Sequence, residues 1–402
     1  MGNRCPGTWV TPHMTWAETN PVNERRRFIQ DHESGQWTMS DLCARYGISR
    51  KTGYARLQRF REEGDLALED RSRAPRSCPH RTSDEVEALI IAERKKQRWG
   101  ARKLLRVLRG RHPAVPWPAR STISDILERN GLVTPKRKRR KWDHPGAAPA
   151  MASAPNELWT TDFKGQFKTR DGVYCYPLTI VDLCSRYLLR VHALPSVRTE
   201  GAKPVFERLF REVGMPVAIR SDNGPPFAST GIHGLCELNT WWMKLGITHQ
   251  RIQPASPQQN GAHERMHRTL KKDTARPPGE NSRAQQRRFD SFKQRYNHER
   301  PHEALDDETP GSIWVPSPRP FPSRILPPEY PAHCEIRRVS KAGTFRLFSK
   351  QLFLSNALCD EHIALEEVDD GLWNIIFYNS LLGRFDQSTN LITGADFRGP
   401  RA

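Results

Sequence analysis

Residues 157–167 read ELWTTDFKGQF, and the interpretation of the middle of the chain depends on this stretch. Trp159–Phe163 has the aromatic and β-branched composition of a strand, yet Asp162 lies inside it. A carboxylate among strand residues is costly unless a partner compensates its charge. The stretch therefore predicts a strand that presents an acidic side chain to a functional site.

Two further carboxylates stand at comparable positions downstream. Asp222 ends a predicted strand in AIRSDNGPPF at 218–227, and the Asn-Gly pair after it predicts a tight turn that directs the carboxylate out of the sheet. Glu264 lies in the first turns of a predicted helix within SPQQNGAHERMHRTLKK at 256–272. Carboxylates that converge there are the ligands that Mg²⁺ or Mn²⁺ prefers, and a pair of such ions supports in-line phosphoryl displacement.

The elements around these carboxylates alternate in a regular way. Three strands in succession, followed by strands alternating with helices, predict an α/β mixed sheet with helices on its faces. The predicted strands are Trp159–Phe163, Tyr174–Val181, Arg186–Leu194, Val217–Asp222 and Ile247–Ile252.

Four helices are predicted between and after these strands. The first has an apolar face formed by Val205, Leu209 and Phe210. The second covers Leu235–Leu245, and two basic helices begin near Asn260 and Arg283.

Residues 38–64 near the N-terminus have the pattern of two short helices around a glycine-containing turn. Ser40 and Ser49 are predicted N-caps, and the pattern predicts a helix-turn-helix, with an ordinary helical hairpin as the alternative. The start of the second helix is where a recognition helix meets DNA. Three cations there are the predicted DNA contacts: Arg50, Lys51 and Arg56.

A second helical unit is predicted from about Asp84 to Gly131, with Ser121 as the N-cap of its last helix. Its apolar spacing predicts another helix-turn-helix-like domain. The basic run KRKRRK follows it, and either a linker that grips the DNA backbone or a localisation signal fits this composition. The cations of this run are predicted DNA contacts: Lys136, Arg137, Lys138, Arg139, Arg140 and Lys141.

The C-terminal part of the chain differs from the preceding region in its predicted secondary structure. Short alternating strands dominate from Cys334 onward, and Asp370-Gly371 predicts a hairpin turn between two of them. A proline-rich linker at Pro316–Pro331 precedes them. The pattern predicts a small all-β barrel of SH3 type.

Charge is unevenly distributed along the 402 residues. Residues 1–142 hold 31 Lys and Arg against 16 Asp and Glu, a net charge of +15 out of +19 for the whole chain. Concentrated positive charge favours a nucleic-acid partner.

The mean hydropathy is −0.73, and no apolar run approaches the ~20 residues of a membrane helix, so we expect no membrane partner. The absence of a secretory signal and of C-x-x-C pairs predicts reduced thiols in a cytoplasm.

Four ordered motifs together resemble the catalytic core of DDE transposases and retroviral integrases, and especially bacterial insertion-sequence transposases with an integrase core. The motifs are TTDFKG, SDNGPPF, SPQQNGAHER and YNHERPHEALDDETP. The resemblance covers about Ala154–Trp314 and implies an RNase H-like fold. It implies a catalytic and metal-binding triad that holds two Mg²⁺ or Mn²⁺ ions, formed by Asp162, Asp222 and Glu264.

The same resemblance suggests how the helix of Glu264 meets DNA. Lys271 lies two helical turns after Glu264 and matches a basic residue that contacts DNA in this family. Arg268 is predicted on the same face and is therefore a second predicted DNA contact. The Asp222–Glu264 spacing of 41 residues is longer than is usual in the family, and we expect the excess in a surface loop and helix at 229–241.

The resemblance implies a transposase that cleaves DNA at element ends and transfers the strand into target DNA. We expect double-stranded DNA as partner, a homo-oligomer on that DNA, and a cytoplasmic, nucleoid-associated location in a bacterium. A sequence-specific DNA-binding protein with an inactive core is the alternative. The predicted domains are a helix-turn-helix at 20–75, a second such domain with its linker at 82–142, the core at 154–315 and the β-barrel at 332–395.

Two local patterns admit other interpretations. His263–His267 reads HERMH, which formally matches the H-E-x-x-H helix of zinc proteases, with two histidines as zinc ligands and Glu264 as base. The pattern leaves the other acidic motifs unexplained. Asp182 is a fourth carboxylate at the end of a strand, and we interpret it as a turn residue rather than a metal ligand.

Overall fold

The computed structural model describes residues 20–72, 81–134, 152–229, 231, 234–252 and 261–394. Its contacts divide the chain into two compact units, Met1–Arg81 and Thr82–Ala402. Within the described ranges, no helix combines the length and the apolar character needed to cross a membrane. The predicted contacts Lys136–Lys141 lie outside the described residues.

The first unit folds as three helices around a small apolar core. Ser49 accepts a hydrogen bond from the Thr52 amide at 3.1 Å, so its predicted capping role is confirmed. The preceding helix is capped by Thr38, so the prediction of Ser40 was wrong by two residues. The helices are α1 (Pro21–Glu33), α2 (Met39–Arg45) and α3 (Arg50–Glu63).

The close packing of this unit depends on a glycine inside α3. A Cβ on Gly53 would lie 2.7 Å from the Cys43 sulfur of α2. Glycine is therefore needed for the two helices to approach this closely. Helix α1 was not predicted from the sequence, and its Phe28 and Ile29 complete the apolar core.

The second helical domain also contains three helices, α4 (Asp84–Gln97), α5 (Ala101–Arg111) and α6 (Arg120–Arg129). Its core is formed by aliphatic side chains of all three helices, among them Ile90, Leu104 and Ile123. The last helix begins at Arg120 after Ala119, so the predicted cap at Ser121 was wrong.

A six-stranded mixed sheet forms the centre of the second unit. Its strands are β1 (Leu158–Phe163), β2 (Phe167–Lys168), β3 (Tyr174–Asp182), β4 (Leu188–Leu194), β5 (Ala218–Ser221) and β6 (Thr248–Arg251). The order is β2-β3-β1-β5-β6, and β4 pairs with β3. The strand β3 pairs antiparallel with β1 and β4, whereas β1, β5 and β6 are parallel. The predicted mixed sheet is confirmed.

Helices cover both faces of this sheet. They are α7 (Thr199–Val213), α8 (Glu237–Lys244), α9 (Gly261–Thr274), α10 (Ser282–His298) and the short α11 (Pro310–Ile313). Side chains of α7 and α8 pack with Leu178 and Ile180 of β3, whereas α9 and α10 pack with Val181. Because neighbouring strand residues point to opposite faces, these two helix pairs lie on opposite sides of the sheet.

The C-terminal region is all-β, as predicted. Its strands are β7 (Glu335–Arg338), β8 (Thr344–Leu347), β9 (Lys350–Phe353), β10 (His362–Asp369), β11 (Leu372–Phe377), β12 (Ser380–Asp386) and β13 (Leu391–Gly394). They form a five-stranded sheet in the order β13-β12-β11-β10-β7 and a separate β8-β9 hairpin. The SH3-type assignment stays a prediction.

Helix α8 joins the core to this β region. Leu235 and Met243 belong to the apolar cluster of the C-terminal strands, while Leu238 and Trp242 belong to that of the central sheet. The segment at 229–241 was expected at the surface. That expectation was wrong for the helix, which is buried between two apolar cores.

Candidate active site

Asp162 lies near the end of β1, where it is paired in register with Thr179 of β3. The Asp162 side chain lines a cavity of about 620 Å³ beside α9. The side chains that line this cavity are Asp162, Phe163, Lys164, Glu264, His267, Arg268, Lys271, Lys272 and Arg276. The structure thus brings together two of the three predicted carboxylates and both predicted cations of α9.

The pKa of Asp162 is influenced by the charges of the other two predicted carboxylates. Burial, followed by the negative charges of Asp222 and Glu264, raises the pKa of Asp162 to about 7. Glu264 lines the same cavity as Asp162, and Asp222 follows β5, the parallel neighbour of β1. Such a concentration of negative charge favours a cation at this end of the sheet.

Asp222 follows β5 in the tight turn that the sequence predicted. Its Oδ1 accepts a hydrogen bond from the Gly224 amide at 3.3 Å. Asn223 donates its side-chain amide to the Ile252 carbonyl at 2.8 Å, which ties the turn to the end of β6. Burial raises the pKa of Asp222 as well. The carboxylate is thus held at the edge where parallel β5 and β6 end.

Glu264 is exposed in the first turns of α9, and Arg268 and Lys271 line the same cavity from the next two turns. The structure therefore places these three side chains on the common face that the spacing predicted. Three further cations of the cavity were not predicted: Lys164, Lys272 and Arg276. Lys164 and Lys272 lie in the same sequence motifs as Asp162 and Glu264. This proximity in sequence is the signal that could have identified them.

Behind Asp162, two buried histidines of α9 share a hydrogen-bond network with β1 and β3. His263 Nδ1 lies 2.8 Å from Thr160 Oγ1, and His263 Nε2 lies 2.7 Å from Thr179 Oγ1. His267 Nε2 also lies 2.7 Å from Thr179 Oγ1. Thr179 donates to the Asp162 carbonyl at 2.9 Å, so both imidazoles donate to this one hydroxyl.

Burial lowers the pKa of His263 to about 3 and that of His267 to about 2. Both rings are therefore neutral near pH 7. His267 Nδ1 lies 3.6 Å from Asp162 Oδ2, which is beyond hydrogen-bond distance. The network fixes the backbone at Asp162 and leaves its carboxylate free to face the cavity.

The same histidines form a potential metal cluster with Asp162. Within the described ranges, one ligand atom of each of Asp162, His263 and His267 lies within 4.8 Å of the others. His263 is 1% exposed, and both of its ring nitrogens are engaged by threonine hydroxyls. A zinc-protease site needs an open position for substrate, and this packing does not provide one.

Other predicted residues lie away from this cavity. Asp182 is buried and accepts hydrogen bonds from the Asn156 and Ser185 amides at 2.7 and 2.8 Å, which agrees with its interpretation as a turn residue. Arg50 and Lys51 are exposed at the start of α3. Arg56 instead lines a cavity of about 340 Å³ between α1 and α3.

The sequence of the central region matches two models of an integrase core domain, over residues 152–257 and 245–310. This chain therefore contains an integrase core domain. Upstream of the integrase core, residues 24–76 match a helix-turn-helix domain and residues 52–127 a homeodomain-like domain. The predicted family and the predicted helix-turn-helix character are both confirmed.

Relatives of the integrase core occur in viruses and in bacterial insertion elements. The Gag-Pol polyprotein of avian reticuloendotheliosis virus is 38% identical over 146 residues, which is 33% of this chain and 12% of the polyprotein. The IS407 31.7 kDa protein of Burkholderia multivorans is 28% identical over 41% of this chain, and the IS476 39.2 kDa protein of Xanthomonas euvesicatoria is 27% identical over 51%. The match spans 57% of each insertion-element protein.

Two solved structures show a weaker likeness. A chain of the simian T-cell lymphotropic virus intasome, in complex with PP2A regulatory subunit B56 gamma, has a TM-score of 0.35 at 16% identity and covers 77% of this chain and 100% of its own. The HTLV-2 integrase catalytic core domain in complex with magnesium has a TM-score of 0.30 at 18% identity and covers 40% and 97%. The family assignment rests on the sequence models.

Proposed function

We propose that this chain is a DDE transposase, which cleaves DNA at the ends of a mobile element and joins those ends to target DNA. Two observations support the proposal: Asp162 and Glu264 line one cavity together with five cations, and Asp222 follows β5, the parallel neighbour of the strand that carries Asp162. Water attacks the phosphodiester at the element end and frees a 3′-hydroxyl. That hydroxyl attacks a phosphodiester of target DNA directly: the new phosphodiester bond forms as the target's P–O3′ bond breaks and its 3′-oxygen leaves, without a covalent enzyme intermediate.

The three carboxylates fit a site for two Mg²⁺ or Mn²⁺ ions. They offer oxygen ligands only, which suits hard divalent cations. Burial, followed by the charges of the other two carboxylates, raises the pKa of Asp162, and bound cations would compensate the negative charge of the cluster. When bound, such ions activate the attacking oxygen and stabilise the leaving oxygen. Asp162, Asp222 and Glu264 are the residues that would hold them.

The cations of the same cavity would hold the DNA strand. Arg268 and Lys271 lie one helical turn apart on α9, and Lys164 extends from the loop after β1. Contacts of such cations with phosphates would fix the position of the scissile bond. We assign the recognition of element ends to the helix-turn-helix units, through Arg50 and Lys51, with the basic run at 136–141 gripping the backbone.

This activity implies partners and a location. The substrates are two double-stranded DNAs, the element ends and the target, and pairing of two ends calls for a homo-oligomer on DNA. A bacterial transposase would work in the cytoplasm at the nucleoid. These assignments follow from the proposed activity.

Substitution of the triad tests the proposal. Asp162→Asn, Asp222→Asn and Glu264→Gln should each lower cleavage and strand transfer by at least about 100-fold, because each removes charge that holds the ions. Glu207→Gln is the matched control, since this residue lies on α7 across the sheet and pairs with Arg211. Binding of element-end DNA should stay near normal in all four.

Two results would count against the proposal in different ways. Near-normal turnover in one triad variant would remove that residue from the site. A wild-type chain that binds element ends specifically but cleaves nothing with Mg²⁺ or Mn²⁺ would favour the alternative, a DNA-binding protein with an inactive core.

A further inference from the structure

A second cavity lies on another face of α9, away from the carboxylates. Its volume is about 210 Å³. Its lining comes from α5, the turn between β3 and β4, α9, and the end of α10 with the loop that follows. The residues that matter here are Lys103, Arg186, Arg265, Tyr296, Arg300 and His302.

Four cations from separate elements converge on this cavity. They are Lys103, Arg186, Arg265 and Arg300. Glu303 is the acidic side chain that lines it among the described residues, and Asp307 lies close enough to act on Lys103. Both acids already bind Arg102, at 2.6 and 2.7 Å. The cavity therefore carries an excess of positive charge.

Two guanidinium donors around the cavity are buried without a partner. Among the described residues, Arg186 Nη1 and Arg300 Nε are shielded from solvent and make no hydrogen bond. Arg300 reaches Thr269 Oγ1 only at 3.5 Å. Leaving a buried charged donor unsatisfied destabilises the folded protein. An oxyanion in the cavity would satisfy them together.

Burial, and then mutual repulsion, disfavours the charged forms of Lys103 and His302. Burial, followed by the charge of Arg300, lowers the pKa of Lys103 to about 8. Burial and the charges of Lys103 and Arg300 lower the pKa of His302 to about 3. The convergence of four cations and the lowered pKa values of Lys103 and His302 both indicate that a negatively charged group would be stabilised in this cavity.

We propose that this cavity binds one phosphate group, and that the group is a backbone phosphodiester of DNA held by the core. The volume is below the roughly 300 Å³ at which pockets begin to take drug-sized ligands, so a single phosphate fits better than a nucleotide. A DNA source rests on the proposed function. It is favoured because α9 presents Arg268 and Lys271 to the catalytic cavity and Arg265 to this one.

The proposal gives α5 a role in DNA binding. Lys103 belongs to the second helical domain, whereas Arg186 and Arg300 belong to the integrase core. One phosphate held by all three would couple the position of that domain to the presence of DNA. The ion pairs of Arg102 hold α5 at the required place.

Inorganic phosphate tests the site on the full-length chain without any catalysis. Phosphate should raise the melting temperature more than chloride does at matched ionic strength. Lys103→Gln and Arg186→Gln should each reduce that difference, and Arg208→Gln, an exposed change on α7 across the sheet, should keep it in full, because the general stabilisation by excluded phosphate is common to all variants. The two test residues lie on different elements, so misfolding of one variant leaves the other informative.

DNA binding tests the source of the phosphate. The slope of log K against log salt should become shallower by up to about 0.9 in Lys103→Gln and Arg186→Gln, as for the loss of one phosphate contact. Arg208→Gln should leave the slope unchanged. A phosphate effect with an unchanged slope would overturn DNA as the source and point to free phosphate.

Different experimental results would overturn the phosphate site and the proposed function. If Lys103→Gln and Arg186→Gln keep the stabilisation by phosphate in full, the cavity is not a phosphate site, whatever the chain does to DNA. If both variants reduce it and the triad variants cleave as well as the wild type, the site stands and the proposed catalytic function falls.

Discussion

Thr179 links three residues of the candidate site through one side-chain hydroxyl. Its hydroxyl accepts from two histidines and donates to the Asp162 carbonyl. The carboxylate that faces the cavity is thus positioned through a neutral, buried network behind it. A threonine in the middle of β3 gives no sequence signal of this role.

Thr179→Val should therefore destabilise the protein and impair its chemistry. Two buried histidine donors lose their acceptor, at a cost of about 1–3 kcal/mol each. Thr248→Val, an exposed strand position on β6, is the control and should change stability little. Urea unfolding measures the effect, and equal stability of the two variants would show that the network contributes nothing.

Among the helices, α3 has its predicted recognition end exposed. Arg50 and Lys51 lie in its first turn, and Arg61 lies three turns further along. Arg50→Ala and Lys51→Ala should weaken binding to element ends more than to random DNA, whereas Arg61→Ala should affect neither strongly. Competition binding with both DNAs measures this. Equal weakening for the two DNAs would mean that the first turn touches phosphate and reads no bases.

Helix α5 is held on the integrase core by ion pairs. Arg102 lies 2.7 Å from Asp307 and 2.6 Å from Glu303. Because these side chains are partly exposed, we expect a small favourable coupling free energy between Arg102 and Asp307. A double-mutant cycle with Arg102→Ala and Asp307→Ala, read by urea unfolding, gives this value. Strict additivity would mean that the pair does not hold the domain.

Across the whole molecule, most of the basic charge and the first helix-turn-helix belong to different units. Residues 1–81 hold 14 Lys and Arg against 10 Asp and Glu, a net charge of +4. Residues 82–402 therefore carry +15 of the total of +19. The division between units falls at Arg81, so the second helical domain groups with the integrase core.

Two fragments should separate sequence-specific DNA recognition from non-specific binding to the DNA backbone. Residues 1–81 should distinguish element ends from random DNA with a modest salt dependence, because their net charge is low. Residues 82–402 should bind both DNAs with a steeper fall of affinity in salt. Titrations at several salt concentrations measure both slopes. A first fragment that binds the two DNAs alike would place end recognition in the second unit.

Local patterns in the chain were enough to predict the family, the mixed sheet, the helix-turn-helix and the order of the three carboxylates. These features depend on periodicity, on turn residues such as Asn223-Gly224, and on motifs that are contiguous in the chain. Strand and helix positions were correct to within a few residues for the same reason. Helix α1 and the short strands β2, β7 and β13 were missed because their patterns are weak or brief.

The meeting of distant side chains, in contrast, depends on packing. The partnership of Thr179 with His263 and His267 follows from how α9 packs on β3, and no spacing in the chain encodes it. The second cationic cavity likewise needs α5, the β3–β4 turn and α10 to converge. Helix α8 is buried between two cores for the same reason, because burial is a property of contacts between elements and not of any one segment.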